Sequence, residues 1–303
     1  MATTEVPGEL LQSTHASRVD RAAKRERSPL LRTMKEAWIV ARYEHGRLAG
    51  GLRARIALAV LPFVTVLPVA VGAIRAERPR PAVAIEQARQ VALAVSKWYS
   101  LDVARHLFDC PPAVIRLVLF TTYLTPLLTF ALAYDCLSGD TQRQTLRLLT
   151  VRGARESIVL GKAAAASFLF GVVIVVSHAI VWGVDIVRKQ DSVASVLGWG
   201  ACAVGVCWIA GAANVGLWVF LSSLFARAKS AMFAGFGCMF LLGAVHAVTH
   251  GRVPTWDGLT PASVDLLLLS GSAVVRWKGI AVATAWCVAT LVGASARLRA
   301  RDL

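Results

Sequence analysis

Polar chemistry in this sequence is concentrated in one stretch, residues 135–162. It carries Asp135, Gly139-Asp140, Arg143, Thr145-Leu146, Arg147, Arg155 and Gly161-Lys162 within 28 positions. Asp135 and Asp140 are a lone acidic pair in Arg-rich surroundings, not the double acidic cluster that would hold a Mg2+-bound diphosphate. A P-loop needs G-x-x-x-x-G-K-[ST]. Gly161-Lys162 is followed by Ala163 and has Glu156 where the first Gly belongs, so no nucleotide site is expected. His246 and His250, four apart, are a candidate metal pair without an evident third ligand. An intramembrane serine protease needs a buried Ser with a His base, and Ser270-Gly-Ser272, in an expected outside loop, is only a weak echo of one.

The elements that must position these residues are membrane helices. Of 303 residues, 56% are apolar and 17% charged, against about 45–50% and about 25% in soluble domains. The apolar residues gather in long runs, which argues against a soluble enzyme. About 20 apolar residues cross a bilayer as helix, and six segments qualify: 56–74, 113–134, 163–184, 193–221, 231–248 and 279–296. The expected fold class is therefore an all-α integral membrane protein. Pro62 and Pro68 predict a kink in the first span. The net charge of +15 sits at the edges of the runs and forms no compact basic domain, so a nucleic-acid partner is not expected. With the termini inside, cytoplasmic segments hold 21 Lys+Arg and outside segments 11, Arg116 completing the 33. The positive-inside rule then places both termini in the cytoplasm. The six cysteines, without a CxxC, read as small packing residues.

Residues 1–30 read as a flexible cytoplasmic tail and 31–303 as one transmembrane domain. Over 31–49, Leu31, Met34, Trp38, Val40, Ala41 and Leu48 alternate with Arg32, Lys35, Arg42 and Arg47. That pattern predicts an amphipathic helix on the inner leaflet, with membrane lipid as partner. Residues 82–97 of the first outside loop and 261–270 of the last predict short interfacial or re-entrant helices. Ser177, His178 and Asn214 are polar at membrane depth and are expected to bond between helices. Gly198, Gly200, Gly211 and Gly216 supply small surfaces for close packing in the fourth span. In 135–162, Gly139 is expected to break the second span, with Asp140 at the start of a short helix whose dipole favours an anion. Leu146, Leu148 and Leu149 form its apolar patch, while Arg143 and Arg147 share another face.

This stretch resembles the hallmark of ABC-2 type transporter permeases, the membrane subunits of many bacterial ABC exporters. That family tends to show an acidic residue ending the second helix and then Gly-acidic. Gly-Thr-Leu follows, and Arg-x-x-x-apolar-x-Gly-Lys opens the third helix. Asp135, Gly139-Asp140, Thr145-Leu146 and Arg155 to Gly161-Lys162 match in order and spacing, with Gln144 where the family usually has Gly. Leu221-Ser-Ser-Leu-Phe225 with Arg227, Arg299-Ala-Arg301-Asp302-Leu303 and Arg42-Tyr-Glu44 are softer echoes. The resemblance implies half of a translocation pathway, paired with a second permease copy or paralogue. It also implies a separate ABC ATPase that binds ATP and Mg2+, engaged through loop 136–154. The residues it puts in ATPase coupling are Asp135, Gly139, Asp140, Arg143, Thr145, Leu146, Arg155, Gly161 and Lys162. An intramembrane enzyme and a non-transporting scaffold of the same fold are the alternatives.

Overall fold

The computed structural model describes residues 29–51, 110–188, 191–249 and 264–301, with Val66, Leu67, Val103, His106 and Leu107 besides. The expected first span, the helix at 82–97, the tail and His250 lie outside the described residues, as does the side chain of His246. Among the described residues the chain is all-helical: α1 (Pro29–Gly50), α2 (Pro112–Ala133), α3 (Ser138–Gln142), α4 (Thr145–Arg152), α5 (Arg155–Arg188), α6 (Val193–Leu224), α7 (Ala228–Thr249), α8 (Val264–Leu268) and α9 (Ala273–Arg299). Five stretches are long and apolar enough to cross a membrane: Pro112–Gln142, Arg155–Arg188, Val193–Leu224, Ala228–Val245 and Ala273–Arg299. They cover the second to sixth expected spans. The short α8 stands within the expected apolar stretch 261–270.

Each helix begins where its sequence allows. Pro112 opens α2, where a missing N–H costs nothing. Ser192 caps α6, its hydroxyl accepting the N–H of Ser195 at 3.2 Å. Pro126 lies inside α2 and cannot donate to the helix, and threonines surround it. Thr129 donates its hydroxyl to the Thr125 carbonyl at 2.7 Å and accepts the Trp218 indole N–H at 3.0 Å. Trp218 is fully buried, with the Phe130 ring edge-on to it at 5.3 Å.

Glycines on α6 let its neighbours approach, as their spacing predicted. Trp182 of α5 covers Gly200 and Phe170 covers Gly211, each leaving no room for a Cβ. Thr290 of α9 would stand 2.6 Å from a Cβ on Gly216, whereas Gly198 has open space. The polar groups at depth behave differently from expectation. Among the described residues, Ser177, His178 and Asn214 bond to carbonyls four residues back on their own helices and not across to a neighbour. The i−4 carbonyl is always within reach of such side chains in a helix, so it wins over a partner that must be positioned.

Gly211→Ala should cost about 1–3 kcal/mol through overpacking against Phe170. Adding Phe170→Leu should recover part of that loss. Thermal melting of the three proteins in one detergent checks both outcomes.

Candidate functional site

The segment 134–162 forms a compact joint at one end of the bundle. α2 ends at Ala133, earlier than the break expected at Gly139, and a turn leads into α3. The sharp break comes at Gln144, whose φ of 58° is left-handed. A Gly at this position would adopt that conformation freely, whereas a Gln pays for it. α4 then runs to Arg152, and Gly153 and Ala154 lead into α5.

α3 is only five residues long, yet it is tied to five other parts of the chain. Ser222 of α6 accepts the backbone N–H groups of Leu137 and Ser138 at 3.1 and 3.0 Å. These are donors that a helix start leaves unpaired. Gln142 accepts the N–H of Ala228 at 3.2 Å, capping α7. Arg301, after α9, donates to the Thr141 hydroxyl at 3.4 Å. Asp140 makes the remaining ties, to α1 and α5.

Asp140 belongs to a closed ring of four charges. Lys162 Nζ donates to Asp140 Oδ2 and to Glu44 Oε1, both at 2.5 Å. Arg47 donates Nη1 to Asp140 Oδ1 at 2.7 Å and pairs through Nη2 with Glu44 Oε2 at 2.8 Å. Each carboxylate thus gives one oxygen to lysine and the other to arginine, and the ring is neutral. Glu44, Asp140 and Lys162 are at most 2% exposed. Arg47 is the one member that reaches solvent. Burial works against the Arg47 charge, but the pull of Glu44 and Asp140 prevails and raises its pKa above the ordinary arginine value. Removing one member of such a buried set costs about 3–5 kcal/mol, because its partners stay behind uncompensated.

The ring fastens α1 along the start of α5. The two helices run side by side in the same direction: Glu36 meets Ala154 and Ser157, Glu44 meets Lys162, and His45 stacks edge-on against Phe168 at 5.1 Å. Gly161 permits this approach, since a Cβ there would lie 2.6 Å from the Ala37 carbonyl oxygen and from Val40. The Glu36 carboxylate accepts the Ala154 N–H and the Ser157 hydroxyl, both at 3.1 Å, and so caps α5 from another helix. The open face of α1 carries Leu31, Met34, Trp38, Ile39 and Tyr43. Of the apolar residues that predicted a lipid-facing stripe, Val40, Ala41 and Leu48 instead turn inward, toward α5.

The remaining motif residues fall into two groups. Arg155 donates to the carbonyls of Leu298 and Arg299 at 2.9 and 2.7 Å, neutralising the C-terminal dipole of α9. Glu156 beside it pairs with Arg299. Leu146 is fully buried and Leu149 packs on the core, while Asp135 and Gly139 are half-buried in the joint. Arg143, Thr145, Arg147, Leu148 and Val151 are exposed, so the apolar patch of α4 that reaches solvent is Leu148 with Val151. Glu36, Arg47 and Ser222 escaped notice as site residues. Glu44 and Arg47 are three apart on one helix, which hinted at a charged face but not at its partners. The six cysteines are free thiols, and no group of three metal-ligating side chains occurs among the described residues.

No protein-family model matches the chain, and none of the curated proteins is significantly similar to it.

The Ala154 N–H holds the Glu36 carboxyl below its ordinary 4.5, with Arg32 assisting. A lowered folded value stabilises the docked α1 above pH 4.5 and ceases to do so as pH falls through the folded pKa. Glu36→Gln should therefore melt below the parent at pH 7, and the gap should close as the pH drops below 4.5. Paired melts across that range check the sign.

Proposed function

We infer that this chain is the permease subunit of an ABC exporter in the cytoplasmic membrane. It would have six spans and both termini inside, and would form half of a translocation pathway with a second copy or paralogue. A separate ATPase, holding ATP and Mg2+, engages it through loop 136–154. The observation that carries the reading is the construction of that loop. Leu148 and Val151 stand 68% and 82% exposed on α4. Arg143 and Arg147 flank them, giving an apolar knob with a basic rim. Behind the knob, α3 is bonded to α6, to the start of α7, to the residues after α9, and through the ring to α1 and α5. A push on α4 is thereby delivered to the bundle as a unit, which is what coupling by rigid-body motion requires. The resemblance in motif supports the same reading. On α7, Phe233, Phe240 and Leu241 remain exposed, a face available to the second permease.

The test uses the knob and leaves the buried ring intact. Leu148→Glu with Val151→Glu should leave membrane insertion and melting unchanged. The same variant should cut co-purification with the ATPase subunit at least tenfold. Retention of the ATPase at the parent's level would remove the coupling role from α4 and, with it, the permease reading.

A further inference from the structure

A second set of polar residues lies at the opposite end of α5. His178, Trp182 and Asp185 follow one another at i, i+4 and i+7, which is one face of a helix. Asp185 stands about 34 Å along the helix from Lys162 at 1.5 Å per residue, a little more than the ~30 Å hydrocarbon layer. Asp185 thus sits at the far interface, with His178 roughly 10 Å deeper.

All three carry a buried polar atom with no hydrogen-bond partner among the described residues. His178 Nε2, Trp182 Nε1 and Asp185 Oδ2 are buried and accept or donate no hydrogen bond. His178 is 0% exposed and Asp185 2%. Asp185 also forms no ion pair with any described residue. Thr121 Oγ1 of α2 is unpartnered as well. Leu128 clusters with Phe170 and Leu117 with Val181, and this antiparallel register sets Thr121 level with His178. A buried polar group without a partner costs free energy, and a buried carboxylate costs most. Four such groups on two packed helices mark a place that something else completes.

The atoms on offer define the complement. His178 bonds through Nδ1 to the Ile174 carbonyl at 2.9 Å. A carbonyl only accepts, so Nδ1 carries the proton and Nε2 presents a lone pair. Asp185 presents carboxylate oxygens. Trp182, pinned against Gly200, adds an indole ring on the same face between them. Two acceptors around an aromatic ring suit a positively charged donor. We propose that the His178–Trp182–Asp185 face of α5 binds the ammonium group of an amphipathic amine, with Asp185 as its counter-charge. The inference deepens the permease reading by naming a class of substrate, and it rests on that reading for transport though not for binding.

The experiment therefore needs no ATPase. The full chain in lipid nanodiscs is titrated with dansylcadaverine, a protonated amine, and with its neutral N-acetyl counterpart, reading energy transfer from tryptophan. The parent should bind the amine saturably and at least tenfold more tightly than the acetylated probe. Asp185→Asn should lose that preference, and Asp185→Glu should keep it. Asp185→Asn should also melt no lower than the parent, because it removes an unpaired buried carboxylate. Equal binding of both probes to the parent, undiminished amine binding by Asp185→Asn, or a lower melting point for that variant would each overturn the proposal. The coupling test on Leu148 and Val151 is untouched by any of these results.

Discussion

The neutral ring of Glu44, Lys162, Asp140 and Arg47 is the constraint on which the rest of the structure hangs. Burying three of its four charges is costly in itself, and good geometry only offsets the cost. What the ring supplies is registry. Lys162 has two carboxylates to satisfy and each carboxylate has two oxygens to place, so α1, α3 and α5 fit together in one alignment. A slip of one residue along α5 would strand Lys162 in an apolar wall. Gly161, against the α1 backbone, enforces the same register sterically. The small α3 then passes that register to α6, α7 and the end of α9 through Ser222, Gln142 and Thr141.

The spans were legible because nothing but a bilayer explains apolar runs of that length, and five of them reappear as long helices. The distinctive order of residues 135–162 was legible too, as a joint between two spans. What could not be read was the role of its charges. Asp140 looked like a dipole-stabilising residue at a helix start, since local spacing is all that a sequence displays. Its true partners are Arg47 and Lys162, 93 and 22 positions away. The first helix formed where its pattern predicted, with Leu31, Met34 and Trp38 outward, but its inner face could not be read for a related reason. Its largest apolar side chains, Trp38, Ile39 and Tyr43, face outward. Its inner face is made of Ala37, Val40, Ala41 and Leu48 with Glu44 among them, an acid that no hydrophobic pattern would choose. Close approach to Gly161 demanded small residues there, and the ring demanded an acid.

The two ends of α5 use polar groups in opposite ways. At the first end the buried charges of Glu44, Asp140 and Lys162 are answered from within the chain, and the result is a rigid joint. At the other, His178, Trp182 and Asp185 leave buried atoms unanswered. Self-satisfied networks hold a structure in one state, whereas unsatisfied ones are where a ligand gains most by binding. A single helix about 50 Å long joins the two. Under the proposed function, that helix would link movement at the joint to occupancy of the far end.

The central claim, that the ring locks α1 to α5, is tested most directly by a double-mutant cycle between Glu44 and Lys162. Melting stability is compared for the parent, Glu44→Gln, Lys162→Met and the double variant in one detergent. A direct buried pair predicts a coupling of about 1–3 kcal/mol, with the double variant losing much less than the sum of the two single losses. Additivity within about 0.5 kcal/mol would contradict it, showing that the two residues contribute independently and that α1 is held by other means.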